Sequence, residues 1–254
     1  MQRLNVRNMS LEITRDCNLE CRHCFRGKKQ TEYMNLDIIN YVFDNVCRIN
    51  DFMLTGGEPF LAIKQLKKVT ERIMKENTNI GNMIIVTNGA FLSYDTIGIL
   101  DQINKKTDLE IRISNDYFHN LELENKNLVN IKNKNFNMLK EYFNVTKTED
   151  EVFIIDKVGR AADITKEEIK EINNNSIVKY VLDTYRVLEE YRINYPLPKI
   201  IDDDVVCGTL NIDVFGNIVP TYYPYELEDK NSYANIRNYK TLKLAINSID
   251  SSMV

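Results

Sequence analysis

Short apolar runs alternate with longer amphipathic runs through the first two thirds of the chain. The apolar runs have the length of buried strands, and the amphipathic runs carry apolar residues at helical spacing. Strands that alternate with helices indicate βαβ units and a parallel sheet. The pattern predicts strands at 10–14, 51–55, 82–89, 108–114 and 151–159, and helices at 35–49, 60–76, 94–106 and 127–143. Asn35 is expected to cap the first of these helices.

These repeating units predict an α/β fold built as an incomplete TIM-type barrel, because they are fewer than the eight of a closed barrel. After Gly159 the pattern changes to a short polar helix with Thr165 as its cap, then an ambiguous apolar segment at 176–193. A hairpin that turns at "FGN" (215–217) follows at 209–223, and a last helix lies near 239–249. We therefore expect a core at 1–164, reaching about residue 200 at most, and a small α/β extension at 165–254.

Composition places the chain among ordinary globular proteins, with 43% hydrophobic and 28% charged residues. A net charge of −4 gives no overall basic field for nucleic acid. The basic run at 26–29 is interpreted as a solvated loop. No segment reaches the roughly 20 apolar residues of a membrane span, and the N-terminal residues lack the apolar core of a signal peptide. Five cysteines, three of them clustered, fit a reducing compartment, so we expect a cytoplasmic protein.

The segment "CNLECRHC" places Cys17, Cys21 and Cys24 within eight residues. A structural zinc site uses four ligands and a disulfide framework uses an even number of cysteines. Three thiolates on a [4Fe–4S] cluster would leave one iron open to another ligand. The alternative is a zinc knuckle that borrows His23 or Cys47, although the ring of His23, between two cysteines, is expected to point away.

The cysteine spacing resembles the Cys-x3-Cys-x-Φ-Cys signature of radical S-adenosylmethionine (SAM) enzymes, and the resemblance extends over residues 10–161. It implies a partial (βα)6 barrel with one [4Fe–4S] cluster on Cys17, Cys21 and Cys24. S-adenosylmethionine would chelate the open iron and be cleaved to methionine and a 5′-deoxyadenosyl radical. An external one-electron donor of the flavodoxin or ferredoxin type is implied as a partner.

Further motifs match the same resemblance. "GGEP" follows the second predicted strand, where two glycines let the backbone approach a ligand, although an ordinary turn could also use this sequence. "VTNG" ends the third strand, "ISND" ends the fourth and "VGRA" comes after the fifth. The resemblance implies that the cosubstrate contacts are His23, Gly56, Gly57, Glu58, Pro59, Thr87, Asn88, Ser114, Asn115, Val158 and Arg160.

Tyr117 and His119 are the candidate catalytic residues, because His119 is one of only two histidines and follows the fourth strand. His119 could transfer a proton near the substrate. The alternative is a residue at a helix start that is hydrogen-bonded to the backbone.

The region "CGTLNIDVFGNIVPTYY" resembles the SPASM/twitch-type extension of peptide-modifying radical enzymes. Asp213, Gly216 and Pro220 stand in the expected order, but Thr221 stands where that pattern has a cysteine. We therefore expect no auxiliary cluster from these residues, which favours redox-neutral outcomes such as epimerisation. Cys207 is interpreted as a buried apolar residue or a hydrogen donor.

The remnant of this extension favours a peptide or protein substrate. Two alternatives stay open, namely a radical enzyme acting on a small molecule such as a nucleotide, and an activase that places a glycyl radical on a partner protein. A non-enzymatic scaffold that has kept the cluster is a further class. The sequence gives no indication of oligomeric state.

Overall fold

The computed structural model describes residues 3–75, 78–148, 152–157, 159–173, 177–183, 197–202, 205–220 and 232–249. The predicted residues Val158 and Thr221 lie outside these ranges. The strands are β1 (Leu4–Thr14), β2 (Val46–Gly56), β3 (Asn79–Thr87), β4 (Asp108–Ser114), β5 (Asn144–Thr148), β6 (Val152–Lys157), β7 (Ile177–Asp183), β8 (Lys199–Ile201), β9 (Val205–Ile212), β10 (Asn217–Val219) and β11 (Ala234–Asn235).

The helices lie mainly between successive strands, as the alternating pattern predicts. Short 3₁₀ turns at Pro59–Leu61, Gly159–Ala161 and Ile236–Asn238 accompany them. The α-helices are α1 (Leu36–Asn45), α2 (Ile63–Lys75), α3 (Tyr94–Asn104), α4 (Tyr117–Asn125), α5 (Val129–Lys140), α6 (Lys166–Asn173) and α7 (Leu242–Asn247). None of the described helices is long and apolar enough to cross a membrane.

One large sheet carries the fold, with strand order β11-β10-β9-β1-β2-β3-β4-β5 and β8 beside β9. Strands β9, β1, β2, β3, β4 and β5 run parallel, while β8, β10 and β11 are antiparallel to their neighbours. Strands β6 and β7 form a separate parallel pair. This is the expected α/β fold with a parallel sheet, and no strand in the described ranges closes it into a barrel.

The parallel arrangement places the carboxyl ends of four central strands at one edge of the sheet. Those ends are Thr14, Gly56, Thr87 and Ser114. Ligands bind at this edge in parallel α/β sheets because the loops that follow the strands meet there. The sheet therefore brings together the predicted motifs that follow β1, β2, β3 and β4.

The helix predicted at 35–49 is too long. Helix α1 ends at Asn45 and β2 begins at Val46, so Cys47 lies on a strand and not on a helix face. Asn35 caps α1 as predicted, with its side chain accepting a hydrogen bond from the backbone N–H of Asp37. Residues after Asn45 pair with β1 on one side and β3 on the other, and this pairing overrides their helical spacing.

The strand beside β4 is also different from the predicted one. The short polar strand β5 occupies that place, and the predicted strand at 151–159 is found as β6, paired with β7. The sequence of β5, "NVTKT", carries no apolar run because it pairs on one side with β4 and presents much of its surface to solvent. Hydrophobic pattern alone therefore misses it.

The C-terminal segment joins the main sheet. Strand β9 pairs in parallel with β1, and β9 and β10 form the predicted hairpin, within the part of 209–223 that the structure describes. Gly216 has a φ of +86°, which suits the turn of this hairpin. The predicted last helix is α7, capped by Thr241. The division of the chain near residue 164 stays a prediction.

Candidate active site

The cysteine loop, defined as residues 15–33, connects β1 to α1. Its two ends are held together at the base, where the Arg15 N–H donates to Glu32 O at 2.8 Å. Next to this bond, the Met34 N–H donates to Ile13 O at 2.9 Å. A loop fixed at its base keeps side chains in its middle close to the ends of the neighbouring strands. The three predicted cluster ligands lie in that middle part.

A cavity of about 210 Å³ lies between the cysteine loop and the carboxyl ends of the strands. All three cysteines of the motif face it. Eleven of the sixteen predicted site residues border this cavity, namely Cys17, Cys21, Cys24, His23, Gly56, Gly57, Thr87, Asn88, Ser114, His119 and Arg160.

Cys17 and Cys21 are in surroundings that disfavour an isolated negative charge on their thiols. Burial raises the pKa of Cys17 to about 11 and raises that of Cys21 still further, and the neighbouring acidic groups act in the same direction. The Leu19 N–H and the Asn88 amide point at the Cys17 sulfur, with N–S distances of 3.4 and 3.7 Å. Three thiols converge on one cavity, with Cys21 buried and Cys17 and Cys24 partly buried. They fit a positively charged metal cluster, which makes the thiolate forms favourable.

Neither His23 nor Cys47 is placed to be the fourth ligand of a zinc site. The Cys47 sulfur lies on β2, where it contacts the backbone oxygens of Arg3 and Leu4 at 3.4 Å. The His23 Nε2 faces Asp116 at 3.6 Å. The three thiols therefore fit a [4Fe–4S] cluster with one open iron better than a four-ligand zinc site.

Gly56 and Gly57 bring the end of β2 into direct contact with the start of the cysteine loop. A Cβ on Gly56 would lie 2.2 Å from Thr14 O, and one on Gly57 would lie 2.3 Å from Asp16 O. The Gly57 N–H donates to Thr14 O at 2.8 Å, and the Glu58 N–H donates to Asp16 O at 2.7 Å. The two glycines are therefore required by the close approach of two backbones.

Glu58 lies behind the cavity wall and is fully buried. Its carboxylate accepts hydrogen bonds from the Phe60 N–H at 3.0 Å, the Thr87 hydroxyl at 2.8 Å and the Asn88 N–H at 2.8 Å. Burial raises its pKa to about 7, although these three donors favour the charged form. Glu58 thus ties the end of β2 to the end of β3, and Pro59 starts the buried 3₁₀ turn that follows.

The end of β4 is held by a buried lysine that the sequence analysis did not single out. Lys132 on α5 donates to Ser114 O at 2.8 Å, to the Asn115 side chain at 3.0 Å and to the Asn120 side chain at 3.1 Å. Burial, aided by nearby Lys147, lowers the pKa of Lys132 to about 8. Asn115 therefore contributes its side chain to this support, while Ser114 faces the cavity.

Both histidines of the chain meet at one side of the cavity. The ring of His23 stacks on Phe118 with centroids 4.7 Å apart, and the ring of His119 meets it edge-on at 5.0 Å. His119 Nδ1 is hydrogen-bonded to the carboxylate of Asp116, which also caps α4 by accepting from the His119 N–H at 3.0 Å. Tyr117 packs edge-on against Phe118, behind the cavity wall.

Burial and the contact with His119 set the pKa values of His23 and Asp116. Burial lowers the pKa of His23 to about 4, so its ring is neutral at pH 7. Burial alone would raise the pKa of Asp116, but the hydrogen bond and charge of His119 hold it well below its usual range. Asp116 is therefore an ionised carboxylate that fixes the tautomer and orientation of His119.

Arg160 joins the chain after β6 to the cysteine loop. Its Nε donates to Cys21 O at 2.9 Å and its backbone N–H donates to Cys24 O at 3.0 Å. Gly159 beside it has a φ of +57°, and a Cβ there would lie 2.2 Å from Phe25 O. Arg160 is thus a support for the loop as well as part of the cavity wall.

Three residues at the site were missed as candidates, namely Asp116, Lys132 and Arg15. The spacing of Asp116 and His119, with the acid directly after a strand, is a helix-capping signal that could have identified Asp116. Lys132 and Arg15 are identified only by burial, at 4% and 2% exposure, which the sequence pattern does not reveal.

Comparison with known proteins agrees with this geometry. The profile of the family described as "4Fe-4S single cluster domain" matches residues 7–137, about half of the chain. The chain belongs to this family. The match agrees with the single [4Fe–4S] cluster that the cysteine spacing predicts.

Among solved structures, the radical SAM enzyme anSMEcpe, determined with bound AdoMet and Cp18Cys peptide, has a TM-score of 0.55 to this chain. The two share 14% identity, over 96% of this chain and 80% of that one. This likeness shows a common fold.

Two relatives of known sequence match shorter parts of the chain. Protein MJ0907 of Methanocaldococcus jannaschii is 24% identical over 114 residues, which are 44% of this chain and 39% of the relative. Protein YfkA of Bacillus subtilis is 26% identical over 76 residues, which are 28% of this chain and 20% of the relative. The matched regions thus span less than half the length of either relative.

Proposed function

We propose that this radical SAM chain cleaves S-adenosylmethionine reductively and abstracts a hydrogen atom from a peptide or protein. The cluster and its cosubstrate, when bound, would supply the 5′-deoxyadenosyl radical. The observation that carries the proposal is the convergence of the three cysteines of the motif, the two glycines at the end of β2 and the polar ends of β3 and β4 on one cavity. The remaining roles belong to the chain's own residues.

The cosubstrate contacts are assigned to residues on the cavity wall. Gly56 and Gly57 border the cavity, where their backbone carbonyls are assigned to accept hydrogen bonds from a ligand ammonium group. The Arg160 guanidinium, with its Nε on Cys21 O, offers its outer nitrogens to a carboxylate. Ser114 offers a hydroxyl, while Glu58, Pro59 and Asn115 support these groups from behind the wall.

Proton transfer is assigned to His119. Its Nδ1 is engaged by Asp116, so the other ring nitrogen, Nε2, is the one that can exchange a proton with a substrate. His119 lines the cavity and Tyr117 packs behind it, which favours His119 over Tyr117 for this role. The ionised Asp116 would stabilise the protonated ring.

A peptide substrate is supported by an open cleft beside the cluster cavity. The cleft has a volume of about 610 Å³ and shares Lys28 and Arg160 with the cavity. One wall is a face of α4 that includes Phe118 and Leu121, and the opposite wall is formed by residues 159–163. A cleft of this volume that opens to solvent suits a chain segment better than a small enclosed metabolite. The anSMEcpe structure of similar fold contains a peptide.

An external one-electron donor of the flavodoxin or ferredoxin type is proposed as the second partner. Lys28 and Lys29 are exposed and border the cluster cavity, which is a suitable position for contact with an acidic electron carrier. The proposed reaction takes place in the cytoplasm, where free thiols and low-potential carriers are maintained.

The proposal is tested by anaerobic reconstitution with iron and sulfide, followed by S-adenosylmethionine and dithionite. We expect 5′-deoxyadenosine from the wild type and none from Cys21→Ala. Cys47→Ala is the matched control, because Cys47 lies on β2 away from the cavity, and it should retain wild-type product. Equal 5′-deoxyadenosine formation by wild type and Cys21→Ala would reject the proposed chemistry.

The substrate class is tested separately, with a peptide library and with nucleosides in parallel reactions. We expect a peptide whose mass changes only in the presence of S-adenosylmethionine and active protein, as read by mass spectrometry. Modification of a nucleoside, with every peptide unchanged, would contradict the peptide assignment and leave the radical chemistry in place.

A further inference from the structure

A buried charged cluster connects the cysteine loop to the hairpin of β9 and β10. Arg15, the first residue of the loop, lies 3.2 Å from Glu12 and 3.5 Å from Asp213, measured between side-chain nitrogen and oxygen atoms. The exposed fractions are 3% for Glu12, 2% for Arg15 and 0% for Asp213. Asp213 is 198 positions from Arg15 along the chain. Buried charges of this kind depend on their partners, because removing one leaves the others uncompensated.

Asp213 also organises the turn of the hairpin. Its carboxylate accepts hydrogen bonds from the Phe215 N–H at 2.9 Å and from the Asn217 N–H at 2.8 Å. The Asn217 side-chain amide donates to the second oxygen at 2.9 Å. The ring of Phe215 then covers the Arg15 guanidinium, with the guanidinium carbon 4.8 Å from the ring centroid. One aspartate therefore holds both the turn and the arginine.

Arg15 begins the cysteine loop and in turn contacts the closing end of that loop. Its backbone N–H donates to Glu32 O at 2.8 Å, and its Nη1 donates to the Gln30 side chain at 2.9 Å. It borders the cluster cavity and precedes Cys17 by two positions. A displacement of Arg15 would therefore shift the first cluster ligand and the closing end of the loop together.

We propose that Asp213 is a positioning residue for the cluster ligands, acting through Arg15. The hairpin that resembles part of a second metal site serves in this chain to hold the cysteine loop in its ligand-binding form before any cluster is present. Burial raises the pKa of Asp213 to about 6, against the opposing effect of Asn217 and Arg15. This cost of burying the carboxylate is consistent with a residue retained for its contacts. The inference does not depend on which substrate is used.

The test is hydrogen–deuterium exchange of the full chain without its cluster, comparing wild type with Asp213→Asn. We expect exchange of amides in the loop 15–33 to rise about tenfold or more in the variant, while amides of α3 keep wild-type exchange. Asp95→Asn is the matched control, because Asp95 is an exposed carboxylate paired with Lys67 at 2.6 Å. Asp95→Asn should leave amide exchange in the loop 15–33 at the wild-type rate.

A second variant, Phe215→Leu, keeps the proposal testable if Asp213→Asn does not fold. Phe215 is 40% exposed, so Phe215→Leu should fold and should raise loop exchange by a smaller factor. The double variant Arg15→Gln, Asp213→Asn should exchange at about the rate of the faster single variant, because both changes break one interaction.

A chelator should remove iron from the reconstituted protein most slowly in wild type, faster in Phe215→Leu and fastest in Asp213→Asn. Unchanged loop exchange in Asp213→Asn and Phe215→Leu would overturn the proposal. An equal rise of amide exchange in α3 and in the loop would also overturn the proposal, because it would indicate general destabilisation and not a local effect.

Discussion

At the scale of single residues, several charged side chains near the cavity support other groups instead of facing the cavity themselves. Glu58 is fully buried and bonded to three donors, and Lys132 holds three oxygens at the end of β4. Asp116 fixes the ring of His119. Residue type and motif position therefore do not by themselves distinguish a group that touches the ligand from one that holds its neighbour.

Replacement of Glu58 by Gln should remove a pH dependence of stability. Because the folded chain raises the pKa of Glu58 from 4.5 to about 7, it binds a proton more tightly than the unfolded chain does. The associated stability is fully present below about pH 4.5 and is lost as pH rises through 7, with a ceiling of roughly 3 kcal/mol. Urea unfolding of cluster-free wild type and Glu58→Gln at several pH values measures this difference.

The wild type should therefore lose more unfolding free energy than Glu58→Gln between pH 5 and 8. Because both proteins contain the other titrating groups, including Asp213, the difference between the two curves isolates Glu58. Parallel curves over this range would contradict a raised pKa for Glu58.

Asp116→Asn should separate radical formation from substrate conversion. Asparagine keeps the size of the side chain but cannot stabilise a protonated His119. We expect 5′-deoxyadenosine formation without substrate to stay near the wild-type rate. The rate at which the substrate peptide is converted to its modified form should fall by roughly 10²–10⁴-fold. Liquid chromatography of both products checks this, and His119→Gln should behave alike. Unchanged peptide conversion in both variants would remove the proton-transfer role.

At the scale of elements, the cysteine loop depends on contacts from distant parts of the chain. The Gly159–Ala161 turn packs on it through Gly159 and Arg160. Helix α4 contacts its backbone through Glu122, which accepts from the Glu20 N–H at 3.1 Å, and Lys126, which donates to Asn18 O at 3.0 Å. The loop is therefore held by surrounding elements and not by its own sequence alone.

Gly159→Ala should disturb the cysteine loop. The added Cβ would lie 2.2 Å from Phe25 O and 2.5 Å from Gly27 N, at a φ that favours glycine. We expect the free energy of unfolding to fall by about 1–3 kcal/mol and the iron bound after reconstitution to decrease. Urea unfolding and iron analysis measure the two effects.

Gly98→Ala is the matched control for this substitution. Gly98 lies in α3, and a Cβ there meets no atom within 4 Å. Alanine should stabilise the helix by about 0.5–1 kcal/mol and leave iron binding unchanged. Equal iron content in Gly159→Ala and Gly98→Ala would argue against the close packing of the turn on the loop.

The sequence predicts elements whose signals are local and misses those decided by pairing. The cysteine spacing, the Asn35 cap and the turn glycine Gly216 are local features, and the structure has the cap and the turn where predicted. The start of β2 at Val46 and the existence of β5 depend on neighbouring strands. The contact of Arg15 with Asp213 joins residues that only the sheet topology brings together. No periodicity in the sequence contains that information.

At the scale of the whole molecule, the C-terminal segment contributes to the same sheet as the cysteine loop. Strand β9 lies directly beside β1, so the hairpin turn reaches the base of the loop that follows β1. The six parallel strands thus include β9 from the C-terminal segment. This arrangement places the hairpin turn in contact with Arg15 at the start of the cysteine loop.

The central claim is that the chain holds one [4Fe–4S] cluster with an iron open to S-adenosylmethionine. The most direct measurement combines iron analysis with low-temperature electron paramagnetic resonance of the reconstituted, dithionite-reduced protein. The account predicts about four irons per chain and a signal whose shape changes when S-adenosylmethionine is added. About eight irons per chain, or a signal that S-adenosylmethionine leaves unchanged, would contradict it.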